Sequence, residues 1–235
     1  MNLKVLFEDE NIIVCKKESG ISSQTERGFA PDMVSILMNY QHEKGIENPY
    51  VGVIHRLDKP VSGVMVYAKN NTDAAFLSKE LANKQFNKKY YAIVIDNNCS
   101  IQDTLKVAGT LRNHLIHDVK ANSSYVTNDT NNNEAKEAIL NYKIMGTTAI
   151  DDINLALLDI ELFTGRHHQI RVQLSHAGFP IIGDKKYNSN MPEKLPYKLK
   201  KTGLALCAYN LSFKHPVTKE IMEFSLEPDG LYKQF

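Results

Sequence analysis

HRLDKPVSG, residues 55–63, sits between two apolar, β-branched runs, VGVIHRL (51–57) and GVMVYAK (63–69). Runs of that kind predict strands, which places Asp58 in the connection between two strands of a sheet. Loops carried on a rigid sheet are where reactive groups are commonly mounted. The stretch packs His55, Arg56, Asp58, Lys59 and Ser62 into nine positions. One reading is structural: a salt-bridged turn, or Asp58 capping a short helix that begins at Pro60. The other is chemical. A carboxylate flanked by Arg56 and Lys59 is expected to stay ionised near neutral pH, and an ionised carboxylate can act as a nucleophile or a base. The rest of the chain has to decide between them.

Working outward, LFEDENIIVCKKE reads as an early strand pair, and residues 33–40 as a short helix behind an Asp32 cap. Residues 72–86 follow with helical spacing behind a Thr72/Asp73 cap, and KKYYAIVI returns to strand. AILNYKIM and LALLDIELF read as strands. TGRHHQIRVQLSHAG reads as a helix begun near Thr164 and closed by Gly178, with Arg166, His167 and Arg171 near one outward face and Ile170, Leu174 and Ala177 docking on the sheet. The tail alternates as a hairpin turning at HPVTKE. Strands outnumber helices without regular alternation, so the fold class is α+β, with a mixed or mostly antiparallel sheet flanked by helices and loops. The expectation is a single domain over residues 1–235, with the asparagine-rich stretch 121–137 as a flexible surface loop or hairpin.

The chain has 235 residues, 43% hydrophobic and 23% charged, which suits a globular protein with a real core. No apolar run approaches a membrane span and the N-terminus lacks a signal-peptide layout, so no membrane partner and a cytoplasmic location are expected. Cys15, Cys99 and Cys207 are odd in number and far apart, which fits reduced, partly buried thiols. The net charge of +1 argues against a generic polyanion binder. Its distribution says more: between residues 163 and 215 nine Lys and Arg face only Asp184 and Glu193, and Lys84, Lys88 and Lys89 form a second group. A locally basic face on a neutral protein fits an RNA or phosphate ligand, although a lysine-rich solvated loop would look the same.

Other chemistries lack their residues. No second carboxylate pairs with Asp58 as a glycosidase needs. The histidines around residue 168 come without a metal-binding spacing, and both GxGxxG and GxxxxGK[ST] are absent, so neither metal nor cofactor is expected. Tyr90 and Tyr91 point to opposite faces of their strand, one packing inward and the other toward a groove.

Taken in order, these pieces resemble the RluA-type family of RNA pseudouridine synthases over essentially the whole chain. LFEDENIIVCKKESGISSQ is similar to the family's opening strand pair and its Lys-x-x-Gly turn, here Lys17 to Gly20. HRLDKPVSGVMVYAKN resembles the motif bearing the family's catalytic aspartate, NKKYYAIV the Lys-x-Tyr motif with Lys88 and Tyr90, and LFTGRHHQIRVQLSHAGFPIIGDKKY the third motif with Arg171. LCAYNLSFKHP closes the match. Val61, Gln173 and Cys207 depart from the usual Thr, His and His. The pattern starts within the first few residues, so the S4-type domain that family members often carry is expected to be missing.

The resemblance implies the pseudouridine synthase fold and the conversion of a uridine in ribosomal or transfer RNA to pseudouridine, without cofactor; a monomer is expected because no stretch reads as an oligomer interface. It gives Asp58 the indispensable role, either attacking C1′ or removing the 2′ proton. Arg171 would pair with Asp58, and Tyr90 would stack on a flipped-out uracil. Arg56 matches a family position that can fill the vacated space. Lys59, Lys88, Arg166 and His167 join it as RNA contacts; His55 is counted with them and is also given the role of orienting the loop. Gly165, Gly183 and Asp184 are assigned to backbone or packing. A catalytically idle RNA-binding or ribosome-assembly protein on the same fold is the alternative.

Overall fold

In the computed structural model the described residues are 3–25, 30–95, 107–188, 192 and 194–235; Cys99 and Glu193 lie outside them. The chain forms two compact units, residues 1–88 with 208–227, and 89–207 with 228–235.

The first unit is built on β1 (Val5–Glu8), β2 (Ile12–Lys17), β3 (Gly52–Val53), β4 (Ser62–Ala68), β10 (Leu206–Lys214, from Ala208) and β11 (Ile221–Ser225). β1 pairs antiparallel with β2, β2 with β4, β3 with β4, and β10 with β11, while β10 lies beside β4. α1 (Met33–Glu43) starts at Asp32, whose carboxylate accepts the Ser35 amide, as its sequence signal requires. α2 (Asn71–Ala82) is capped by Asn70, two residues before Thr72. Asn70 accepts the Asp73 amide, and the Asn70 side-chain amide donates back to the buried Asp73 carboxylate, so Asp73 completes the cap instead of starting it. Ile12, Val14, Val64, Val66, Leu77, Phe86, Leu211 and Phe213 share one buried core. Strands β4 and β10 run so close at Gly63 that a Cβ there would stand 2.4 Å from the Ala208 carbonyl oxygen, so only glycine fits.

The second unit carries β5 (Asn87–Ile95, from Lys89), β6 (Ala108–Asp118), β7 (Ser123–Thr127), β8 (Lys136–Ile150) and β9 (Ile153–Leu162), in the order β5-β9-β8-β6-β7. All four of these pairings are antiparallel. The β8–β9 hairpin turns on Asp151 and Asp152, with φ of 45° and 64°, the left-handed pair a two-residue hairpin requires. Residues 121–137 contain β7 and the start of β8. α3 (Gln169–His176), α4 (Tyr197–Lys200) and a 3-10 turn (Gly230–Gln234) complete the unit.

α3 corrects the sequence reading twice. Residues 164–168 are not helical, because the Gln169 side-chain oxygen accepts from Thr164 Oγ1 (2.7 Å) and the Arg166 amide (3.0 Å), holding the chain in a turn. The helix is also not a docked amphipathic one with outward cations. Every residue from Gln169 to Ser175 is buried, Arg171 included at 6% exposure. Burial is tolerated because the polar groups bond inside. Gln169 donates to the Ile139 carbonyl and to Gln173, and Gln173 donates to Asn113 Oδ1 and to the carbonyls of Leu111 and Ala138. The glutamine that replaces the usual histidine thus ties α3 to β6 and β8.

Candidate active site

Asp58 stands in the extended connection from β3 to β4, and two neighbouring segments fasten that connection. Ser23 Oγ donates to the Leu57 carbonyl (2.7 Å) and accepts the Leu57 amide (3.0 Å). Beyond Asp58, the Gly20 amide donates to the Lys59 carbonyl (2.8 Å), Ser19 Oγ to the Pro60 carbonyl (2.8 Å), and the Val61 amide back to the Asp58 carbonyl (2.9 Å). Asp58 is therefore pinned through its own carbonyl and on both sides by backbone bonds. Val61 is buried at 3% exposure and contributes its amide to this brace.

Lys17 is the group sequence reasoning undervalued. It is fully buried, and its ammonium donates to the carbonyls of Ile21 (2.7 Å), Lys59 (3.1 Å) and Glu18 (3.2 Å). Burial pushes its pKa down to about 8, opposed by the negative charges of Asp58 and Glu18. The signal was present in β2: with period two, Lys17 falls on the face of Ile13 and Cys15, all at 0–1% exposure, so a strand face ends on a buried cation.

His55 accepts the Val66 amide at Nε2 (3.2 Å) and meets Phe86 edge-on at 6.2 Å. Burial first, then the positive charge of Lys88, push its pKa down to about 3, so the ring is a neutral brace between the loop and β4. Lys88, at the start of β5, is partly buried, and desolvation lowers its pKa. Arg56 and Lys59 are exposed on either side of Asp58.

In the second unit, Arg171 Nε and Nη2 donate to the two carboxylate oxygens of Asp184 at 2.8 and 2.9 Å. Asp184 also accepts the amides of Lys186 (2.9 Å) and Tyr187 (3.1 Å). Burial raises its pKa, but the Arg171 guanidinium and these amides outweigh it and leave the carboxyl below its usual range. Asp184 is thus more than a packing position: it is the anchor that fixes the Arg171 fork, which also lies 5.1 Å over the Tyr187 ring. Preceding Asp184, Gly183 has φ of 75°, and a Cβ there would meet the Gly203 carbonyl at 2.2 Å. Tyr90 is 7% exposed on β5 opposite Ile160, while Tyr91 is half-buried. Arg166 is exposed, its Nε donating to the Glu137 carbonyl (2.8 Å), and His167 Nδ1 bonds Ser124 Oγ (2.9 Å). The first unit thus gathers Lys17, His55, Arg56, Asp58, Lys59 and Lys88, and the second holds Tyr90, Arg166, His167 and Arg171.

Among the described residues no cluster of His, Cys, Asp and Glu could hold a metal ion, and no helix is long and apolar enough to cross a membrane. Cys15 and Cys207 are buried free thiols, and burial pushes Cys15 up to about 12.

The class of fold is that of the pseudouridine synthases. The human protein titled RNA Pseudouridylate Synthase Domain Containing 4 superposes with a TM-score of 0.75 at 24% identity, over 98% of this chain and 90% of that one. Residues 11–176 match the family model described as RNA pseudouridylate synthase. An uncharacterized RNA pseudouridine synthase of Aquifex aeolicus is 30% identical over 98% of this chain and 71% of its own length. A ribosomal large subunit pseudouridine synthase D of Buchnera aphidicola is 30% identical over 95% and 68%. The chain belongs to the RluA-type RNA pseudouridine synthases, isomerases that act on uridine in RNA.

Proposed function

We propose that this enzyme isomerises a uridine of ribosomal RNA, with Asp58 as its essential carboxylate. The reaction breaks the N1–C1′ bond, turns the uracil and joins C5 to C1′. The product is an isomer, so neither energy input nor cofactor is required. Attack on C1′ and removal of the 2′ proton both need the carboxylate ionised and held still. The observation that carries the reading is the clamp on the Asp58 loop, formed by Ser19, Gly20, Ser23 and the buried Lys17 ammonium. A turn with no chemical duty would not need a desolvated lysine within electrostatic reach of its carboxylate.

Tyr90 is assigned to stack on the uracil and Arg171 to keep the reacting carboxylate charged, its fork oriented by Asp184. Arg56, Lys59, Lys88, Arg166 and His167 are assigned to the RNA, with Arg56 filling the space the base leaves. His55 takes the bracing role. Ribosomal RNA is favoured over transfer RNA because relatives from Buchnera aphidicola and Borreliella burgdorferi are named for the ribosomal large subunit. A cytoplasmic monomer completes the reading. The test is to incubate the purified protein with unmodified transcripts of large-subunit ribosomal RNA and of transfer RNAs and to map pseudouridine in each. A site in the ribosomal transcript alone supports the assignment; sites in transfer RNA alone overturn the substrate, and none in either overturns the whole.

A further inference from the structure

Three imidazoles stand in a column in the second unit. His117, near the end of β6, faces Ser124 of β7 across the strand pair. Ser124 Oγ lies 2.9 Å from His167 Nδ1, so a hydrogen bond from the strand opposite His117 brings the His167 ring over it. The two rings stack with centroids 3.9 Å apart and planes at 26°. His168 stacks on His167 in turn, at 3.7 Å and 30°, and its Nδ1 lies 2.8 Å from the Tyr187 hydroxyl. That hydroxyl also accepts the Ser124 amide at 2.8 Å, which locks the column to β7.

The column ends in the open. His117 is exposed, and among the described residues His167 is the only ring stacked on it. A flat ring whose inner face is already stacked and whose neighbours are fixed by hydrogen bonds is a preorganised surface for another flat ring. Nucleobases stack on such rings with little regard to sequence. The charge beside it suits the phosphate that would come with a base. Lys120 is exposed in the β6–β7 turn, and Lys186 Nζ reaches the same turn, donating to the carbonyls of Ala121 (3.3 Å) and Asn122 (2.7 Å). Asp118, at the end of β6, has Oδ1 engaged by the Ala121 amide at 3.0 Å.

We propose that the exposed face of His117 is a stacking platform for one unpaired nucleotide of the RNA substrate. The inference rests on the RNA pseudouridine synthase assignment and extends it from the reacting base to the surrounding strand. The platform reads an unpaired base by its flat face and not by its hydrogen-bonding edge, so it favours single-stranded RNA over duplex.

The test titrates the full-length protein with a fluorescein-labelled octauridylate and reads anisotropy for wild type, His117→Ala and His117→Phe. His117→Ala should bind about tenfold more weakly, and His117→Phe, which restores a flat ring, should bind within about twofold of wild type. Equal binding by wild type and His117→Ala overturns the platform, as does a His117→Phe variant no better than alanine. The same preparations are assayed for pseudouridine formation on RNA from cells lacking the gene. Turnover intact with His117-independent binding sinks the platform alone. His117-dependent binding with no turnover by wild type keeps the platform and sinks the enzyme reading.

Discussion

Lys17 and Asp58 show how one buried cation shapes the loop that carries a carboxylate. The ammonium donates to three carbonyls, of which that of Lys59 also takes the Gly20 amide and that of Glu18 the Ile21 amide, and its charge lies within electrostatic reach of Asp58. Lys17→Met should therefore cost about 3 kcal/mol of stability, read as a lower urea midpoint, and should slow turnover as the loop loosens. A variant as stable as wild type would show that the carbonyls find other donors. His55 gives a pH signature with a definite sign. Its folded pKa of about 3 lies below the unfolded 6.5, so between these values the unfolded chain binds the extra proton. Its contribution to stability is complete above the unfolded pKa and is lost as pH falls from 6.5 toward 3. Between pH 7 and pH 4.5 wild type should lose about 2 kcal/mol more than His55→Gln, measured by urea unfolding. Identical losses would mean that His55 takes a proton in the folded protein.

Among the elements, α3 shows where sequence reading succeeds and where it stops. The position of Asp58 between two strands was legible, because β-branched runs on each side of the Pro-Val-Ser-Gly stretch leave little choice. The tail hairpin and the Asp32 cap were equally local. The burial of α3 was not legible, because Gln169, Arg171 and Gln173 read as surface residues until their partners are known. Those partners, Ile139, Asn113 and Asp184, lie between 13 and 60 residues away in the chain. Asp184 was passed over for the same reason: a lone aspartate after a glycine carries no local sign that it holds an arginine. Asp184→Ala removes the carboxylate that holds both Nε and Nη2 of the buried guanidinium and should cost about 3–5 kcal/mol by chemical denaturation. A loss under about 1 kcal/mol would contradict the anchor.

At the scale of the whole molecule the net charge of +1 conceals the polarity that matters. Exposed Arg56, Lys59 and Arg166 and partly buried Lys88 are the cations assigned to the phosphate backbone. RNA affinity should fall linearly as salt rises on logarithmic axes, and neutralising one of these residues should reduce the slope by about 1. A slope unchanged by Arg56→Gln or Lys59→Gln would remove those residues from the interface. One compact unit braces the aspartate loop and the other fixes the arginine.

The Asp58 carboxylate is proposed to turn uridine into pseudouridine. The most direct measurement is pseudouridine mapping of total RNA from cells lacking the gene, complemented with wild type or with Asp58→Asn. Sites that vanish on deletion, return with wild type and stay absent with Asp58→Asn are the predicted result. Sites restored equally by Asp58→Asn, or no site that depends on the gene, would contradict it.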